Sequence, residues 1–256
     1  MSNRAEPAVY TLSRSVSFRL SGRSSSTTSD KFVSKVYFNP KLTKAIHPLP
    51  RKAHVDLSFW CLIDDDMPLI LNKIINEKQC SSLDLCGNKL TCKSIKTLTL
   101  NPLKNEHLEK IDFSFNQLID IGARTLSDLI LTNRYSVLRR LMLNKNGISN
   151  TGAKYLAEML KNNRTIEELW LSDNEIGNQG VESLVDALSN NNRTLKVLIL
   201  SFNTFITNRS VEYFVKLMKT NQTLQNLSIH HCNLPFSTQT LLAECAITKK
   251  NFRLEI

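Results

Sequence analysis

The chain has 256 residues, of which 41% are hydrophobic, and its 33 basic and 23 acidic residues give a formal charge of +10. Its apolar runs all fall short of the roughly 18 residues that span a bilayer, which excludes a membrane-spanning protein. The N-terminal residues lack the apolar stretch of a secretory signal, and the six cysteines lack the spacing of a disulfide framework or a zinc site. We therefore expect a cytoplasmic protein, with the nucleus as the alternative.

The basic charge is concentrated at the start of the chain. Residues 1–53 carry +8 and the remaining residues carry +2. Residues 1–30 are rich in Ser and Arg and poor in Leu and Ile, so we predict a disordered basic tail there. Its sequence leaves two alternatives open, since Arg14-Ser15-Val16-Ser17 resembles a basophilic kinase site and the Arg/Ser-rich composition resembles an organelle transit peptide.

Residues 31–53 are more apolar than the tail that precedes them. Val33, Val36 and Leu42 are among the apolar side chains there. A stretch of this kind predicts a linker or an N-terminal cap on the domain that follows, and we place that domain at 54–256.

One pattern, L-x-x-L-x-L-x-x-N-x-L, recurs through residues 54–256. Its clearest copies are LRRLMLNKNGI at 138–148 and IEELWLSDNEI at 166–176. The Asn slot falls at positions 60, 88, 116, 146, 174, 203 and 232, in steps of 28–30 residues, with Trp60 and Cys232 replacing Asn at the two ends. About seven repeats in register are far beyond chance.

Each repeat predicts a strand, a turn and a helix. The alternation around L-x-L is typical of a short strand with one buried face. Because an amide both donates and accepts hydrogen bonds, we expect a buried ladder formed by Asn88, Asn116, Asn146, Asn174 and Asn203. Apolar residues at helical spacing follow Gly122, Gly152 and Gly180, and the NNRT sequences predict helix stops with Asn in a left-handed cap.

This pattern resembles the leucine-rich repeat family in its ribonuclease-inhibitor-like class, which includes the repeat regions of NOD-like receptors and Ran GTPase-activating proteins. The resemblance covers roughly residues 54–256. It implies an α/β right-handed solenoid, with parallel strands on the concave side and helices on the convex side. It also implies protein binding through the concave face, without identifying the partner.

The repeat predicts which side chains line that face. The middle residues of the L-x-L units are Asp56, Asp84, Asp112, Met142, Trp170, Ile199 and Ser228. Met142, Trp170 and Ile199 on adjacent strands predict a contiguous exposed apolar patch, and Arg140 and Glu168 would form part of its charged rim. The residues before the Asn slot add Phe115 and Phe202, which either contact the partner or cover the turn edge.

The sequence gives only weak indications of a phosphate-binding loop or a metal site. The sequence GNKLTCKS at 87–94 approaches a phosphate-binding loop, but Asn88 and Leu90 belong to the repeat. Strand alternation predicts that His230 and His231 face opposite sides, which argues against a metal site. We expect no enzyme activity, no cofactor, no metal and no small-molecule substrate.

The leading hypothesis is a non-catalytic scaffold that binds a protein. The alternative is activation of a small GTPase in the manner of the Ran activators, although this chain ends in KKNFRLEI where those proteins have an acidic stretch. Nucleic acid is expected to make only weak, salt-dependent contacts with the tail. The segment FRLEI falls where an eighth strand would begin, so Phe252, Leu254 and Ile256 are candidates for a minimal cap.

Overall fold

The structure is a computed structural model and describes residues 9–11, 38–100, 105–132 and 137–256. Its strands form one parallel sheet in which the spatial order follows the chain order. The strands are β1 Val9–Thr11, β2 His54–Asp56, β3 Ser82–Asp84, β4 Lys110–Asp112, β5 Arg140–Met142, β6 Glu168–Trp170, β7 Val197–Ile199, β8 Asn226–Ser228 and β9 Arg253–Glu255.

Helices alternate with these strands. They are α1 Pro40–Ile46, α2 Met67–Leu69, α3 Cys92–Leu100, α4 Ile119–Thr132, α5 Asn150–Asn162, α6 Asn178–Asn190, α7 Val211–Thr220 and α8 Phe236–Ile247. A π-helix, Ile70–Glu77, continues α2, and short 3₁₀ helices lie at Asp64–Asp66 and Asn208–Ser210. None of the helices in these ranges is long and apolar enough to cross a bilayer.

The core lies between the sheet and the helices. The two leucines of each L-x-L unit point into it, as Leu141, Leu143 and Leu169 illustrate with no exposed surface. The helices bury one stripe each, and Leu156 and Leu160 of α5 are fully buried in this way. The predicted α/β solenoid of stacked strand–turn–helix repeats is therefore confirmed.

The start of the array is covered by α1. Asn39 caps this helix by accepting a hydrogen bond from the Leu42 amide at 3.0 Å, and its own amide reaches Asp66 of the first repeat at 2.8 Å. Leu42 and Ile46 are buried. Strand β1 lies within the segment for which we predict disorder and pairs with β2. The rest of 1–30 lies outside the described residues, so the tail stays a prediction.

The asparagine ladder runs through the turns. Asn174 is representative, because its amide donates to the carbonyls of Leu143 and Leu171 at 3.0 Å and its oxygen accepts from the amide of Ile148 at 3.1 Å. Asn88, Asn116, Asn146 and Asn203 make equivalent bonds and are also buried. Each rung therefore links neighbouring repeats.

The two substituted slots behave differently. The Cys232 thiol donates to the carbonyl of Leu200 at 3.4 Å and so replaces part of one rung. Burial raises the pKa of this thiol to about 11, which keeps it protonated as a donor. Trp60 packs against the core at the first slot, where a ladder bond is replaced by apolar contact.

The helix ends differ from our prediction. Helices α5 and α6 stop at the two NNRT sequences, but their caps Asn163 and Asn191 have φ of −75° and −121°, so the expected left-handed cap is wrong. The reason is that an asparagine of each NNRT sequence serves the next strand. The oxygen of Asn163 accepts from the amides of Thr165 and Ile166 at 2.9 and 2.8 Å, and Asn192 makes the equivalent bonds.

Helices α5 and α6 are capped at their beginnings by residues of the preceding repeat. Asp120 of α4 accepts from the amides of Ser149 and Gly152 at 2.8 and 2.9 Å, at the start of α5. Asn150 does the same for Gly177 and Gly180 at the start of α6. Helices α4, α5 and α6 begin two or three residues before the predicted glycines, because these capping residues belong to the first turn.

Candidate protein-binding face

One row of side chains runs across the concave face of the sheet, and we call it the central row. The strand register places Asp56, Asp84, Asp112, Met142, Trp170, Ile199 and Ser228 opposite one another in that order. Adjacent members are about 5 Å apart, the spacing of neighbouring strands. The predicted register of this face therefore corresponds to the strand pairing of the structure.

The apolar end of the central row consists of Met142, Trp170 and Ile199. All three side chains are partly buried, so the patch is contiguous but less exposed than the sequence suggested. Trp170 is also anchored at its polar edge, since its ring nitrogen donates to Glu168 at 3.3 Å. Each of the three lies opposite the next on the adjacent strand, about 5 Å away, so neighbouring side chains cover part of its surface.

Ion pairs flank the apolar end. Arg140 and Glu168 lie on neighbouring strands, and the Nε of Arg140 is 3.0 Å from the Oε1 of Glu168. Glu168 also accepts the hydrogen bond from the ring nitrogen of Trp170. Beside them, Glu167 pairs with Arg139 and with Lys196. The hydrogen bond from Lys196 is the main reason that the pKa of Glu167 lies below its usual range, followed by the bond from Arg139. A charged border of this kind orients a partner more than it adds affinity.

The acidic end of the central row consists of Asp56, Asp84 and Asp112. Each carboxylate accepts a hydrogen bond from the backbone amide two residues later, at 2.8–2.9 Å. Burial raises the pKa of Asp84, and the negative charges of Asp112 and Asp56 raise it further, against the opposing effects of the Cys86 amide and Lys110. Asp112 is only 6% exposed.

A second row follows the turn edge, immediately before the asparagine slots. Its members Phe59, Gly87, Phe115, Lys145, Asp173, Phe202 and His231 all have φ between 50° and 64°. Phe115 is 48% exposed and Phe202 is 45% exposed. Lys145 lies over the Phe115 ring at 5.5 Å, and His231 stacks on Phe202 at 4.4 Å. These contacts place both phenylalanines along the turn edge, beside rather than within the apolar end.

His230 and His231 contact each other, which contradicts the expectation that they face opposite sides. Their Nδ1 atoms are 2.7 Å apart. The physical reason is the backbone of His231, whose φ of 57° lies outside the strand region and turns its side chain toward its neighbour.

One group of potential metal ligands occurs within the described ranges. The ligand atoms of Asp84, Cys86 and Asp112 lie within 4.8 Å of one another. Burial and the charges of Asp112 and Asp84 raise the pKa of the Cys86 thiol to about 11. The thiol is therefore protonated near neutral pH, and a metal ion would have to displace its proton to bind there.

Sequence reasoning missed two sets of polar residues on the faces of the repeats. Asn144 bridges neighbouring strands on the concave side by accepting from the amide of Ser172 at 2.8 Å and donating to Ser114 at 3.1 Å. The capping residues Asp120, Asn150 and Asn178 were also overlooked. They recur at the period of the asparagine slots, so extending the repeat alignment beyond the strands would have found them.

Comparisons with known proteins agree with this architecture. Matches to the family described as Leucine Rich repeat cover residues 104–127, 136–157, 162–185 and 191–215. The mouse NACHT, LRR and PYD domains-containing protein 4C is 27% identical over 204 residues, which are 79% of this chain and 20% of that protein.

Two further proteins are similar over shorter stretches. The human capping protein, Arp2/3 and myosin-I linker protein 3 is 33% identical over 99 residues, which are 38% of this chain and 7% of that protein. A solved structure of leiomodin-1 actin-binding site 2 aligns with a TM-score of 0.40 and 24% identity, covering 49% of this chain and 72% of that one.

This chain spans about a fifth of the length of the mouse relative and less than a tenth of the human one. The 28–30-residue period, the parallel strands with alternating helices and the buried asparagine ladder accord with these matches. The chain contains leucine-rich repeats over the matched residues, and its 28–30-residue period resembles that of the ribonuclease-inhibitor-like class.

Proposed function

We propose that this chain is a non-catalytic scaffold that binds a partner protein on the concave face of its repeat array. The observation that carries the proposal is the register of Met142, Trp170 and Ile199 on three adjacent strands. Neighbouring apolar side chains centred on a tryptophan and bordered by charged pairs have the composition of a binding hot spot.

The ion pair of Arg140 with Glu168 supports the same proposal. Glu168 connects the pair to the Trp170 ring, so the ring nitrogen and the guanidinium share one carboxylate. This arrangement holds the tryptophan in a defined position before a partner arrives, which lowers the entropic cost of binding. Phe115 and Phe202 would extend the contact only for a partner that reaches the turn edge.

The relatives lend no support to the alternative of a Ran-type GTPase activator. Leucine-rich repeats serve many different partners, because the exposed side chains of each array decide what it binds. The names of the relatives therefore do not identify the partner of this chain.

The test is capture of partners by the full chain and by two variants. Trp170→Ala removes the centre of the apolar end, whereas Phe236→Ala removes a ring that is 83% exposed at the start of α8, outside the sheet. We expect bound proteins, quantified by mass spectrometry, to fall at least tenfold with Trp170→Ala and to stay unchanged with Phe236→Ala, as hot-spot truncations cost 2 kcal/mol or more.

Circular dichroism and thermal unfolding serve as controls, because Trp170 is only partly buried and its loss should leave the array folded. Unchanged capture by folded Trp170→Ala would contradict the proposal. Unfolding of this variant would instead show that Trp170 is structural, and Ile199→Ser would then carry the same test.

A further inference from the structure

The central row changes character halfway along the sheet, from three carboxylates to three apolar side chains. At about 5 Å per strand, each half extends roughly 10 Å. We infer that the partner presents a segment in which basic side chains lie next to apolar ones, with its cations on the partly exposed Asp56 and Asp84, beside the buried Asp112, and its apolar part on Trp170. This inference rests on the proposed function.

The local turns do not explain the negative charge of the acidic end. Each of the three aspartates accepts a backbone hydrogen bond through one oxygen, and an asparagine would accept the same bond. Asn144, two residues after the central-row position of its strand, shows that a neutral side-chain amide can do this work. Its oxygen accepts a hydrogen bond from the backbone amide of Ser172 in the next repeat. The carboxylates therefore supply a charge that folding does not need.

The charge is also uncompensated within the described ranges. No salt bridge there involves Asp56, Asp84 or Asp112, and Asp112 is buried to all but 6% of its surface. The positive charge of Lys110 lowers the pKa of Asp84, but this effect is the smallest of those that act on the carboxyl group. Like charges on adjacent strands repel, so a cation from outside relieves a cost that the free protein carries.

A cationic side chain fits this end better than a metal ion does. The potential metal ligands that lie close together are Asp84, Cys86 and Asp112, so a single ion held by them would leave the charge of Asp56 unpaired. The carboxylates also continue directly into Met142 and Trp170. A single extended partner segment can occupy both halves at once, which an isolated ion cannot.

The experiment is selection of a random dodecapeptide library against the full chain, with depletion on Trp170→Ala. Enriched peptides are then titrated by fluorescence anisotropy against the wild-type protein and two double variants. Asp84→Asn/Asp112→Asn removes the charge of the acidic end. Asp128→Asn/Asp186→Asn removes two carboxylates from the convex helices α4 and α6, where their side chains are 68% and 49% exposed.

We expect the enriched peptides to carry Lys or Arg within a few residues of aromatic or aliphatic side chains. Asp84→Asn/Asp112→Asn should weaken their binding at least fivefold at 50 mM salt, and the loss should shrink at 500 mM salt because ions screen the attraction. The convex control should leave the dissociation constant unchanged.

The possible failures are distinguishable. Absence of Trp170-dependent enrichment contradicts the proposed function, and this inference falls with it. Enriched peptides without basic residues, or binding that Asp84→Asn/Asp112→Asn leaves unchanged, overturns the inference alone. So does binding that requires added Ca²⁺ or Zn²⁺ and disappears with chelator. If the variant Arg14→Gln/Arg19→Gln/Arg23→Gln binds the peptides more tightly than the wild-type protein does, the chain's own basic segment occupies the acidic end. That result would also overturn the inference.

Discussion

At the residue scale, the turn before each ladder slot has a backbone geometry that residues with a side chain rarely adopt. Every residue before a ladder slot has positive φ, although only Gly87 is a glycine. The left-handed region costs other residues about 1–2 kcal/mol each. The hydrogen bonds of the ladder offset this cost, because they satisfy buried turn carbonyls and amides that would otherwise have no partner.

Removal of an asparagine from the middle of the ladder should therefore destabilise the folded protein. Asn203 is fully buried, donates to the carbonyls of Leu171 and Leu200 and accepts from the amide of Ile176. We expect Asn203→Ala to lower the free energy of unfolding in urea by about 2–4 kcal/mol, since it orphans several buried groups. Asn208→Ala, at an exposed position, should change it by less than about 0.5 kcal/mol. Equal effects of the two variants would refute the role of the ladder.

Asp84 gives a pH-dependent prediction. Its pKa is raised in the folded protein, mainly by burial, so folding is penalised wherever the carboxyl is ionised, and the penalty disappears as pH falls through the folded pKa. We expect Asp84→Asn to raise the free energy of unfolding at pH 7 by about 0.2–1 kcal/mol, the range of cross-strand charge pairs. The gain should vanish in acid. Chemical unfolding at several pH values measures it, and a gain that grows with acidity would contradict this assignment.

At the element scale, several helices take an N-terminal capping bond from the repeat before them. Asp64, Asp120, Asn150 and Asn178 accept hydrogen bonds from amides at the start of the next helix or its 3₁₀ extension. Gly177 is the N-cap of α6 and has no side chain to cap it, so Asn150 supplies the acceptor. The helices are thus coupled one to the next by their caps as well as by their apolar faces.

Asp120 tests this coupling. We expect Asp120→Ala to lower the free energy of unfolding by about 1–2 kcal/mol, as the loss of an N-cap does elsewhere. Asp120→Asn should recover most of the loss, because an amide oxygen performs the same task at Asn150. Thermal and urea unfolding provide the measurement, and a loss in Asp120→Asn equal to that in Asp120→Ala would show that charge matters instead.

At the scale of the whole molecule, the repeats stack closely because glycines remove side chains from their interfaces. A Cβ at Gly180 would lie 2.7 Å from Ile176 Cγ2 and 2.9 Å from Asn150 Oδ1 of the preceding repeat. The stability of a repeat array is approximately the sum of its units and their nearest-neighbour interfaces, so a change at one interface affects the whole array.

Gly180→Ala should therefore lower the free energy of unfolding by about 1–3 kcal/mol through overpacking. Gly177→Ala is the matched control three residues away, where a Cβ meets nothing closer than 3.2 Å and φ is −115°. Its effect should be clearly smaller. Urea unfolding of both variants makes the comparison, and a larger loss in Gly177→Ala would show that cap geometry rather than stacking controls this site.

The sequence by itself determined the repeat, the strands and the register of the central row. Strand alternation has a period of two residues and the repeats have a period of 28–30, so both patterns are written directly in the order of apolar residues and asparagines. Met142, Trp170 and Ile199 could be placed side by side for this reason alone. Leu254 likewise lies in a last strand, β9, where the period places one.

Only the tertiary structure decided how far these side chains are buried and which polar groups pair. The partial burial of Trp170, the pairing of Glu168 with Arg140 and the contact of His230 with His231 depend on neighbours in other repeats or on a local backbone angle. The extended caps at Asn163 and Asn221 also depend on the following strand. A linear pattern fixes which face a residue belongs to, but contacts across that face arise only when the repeats are stacked.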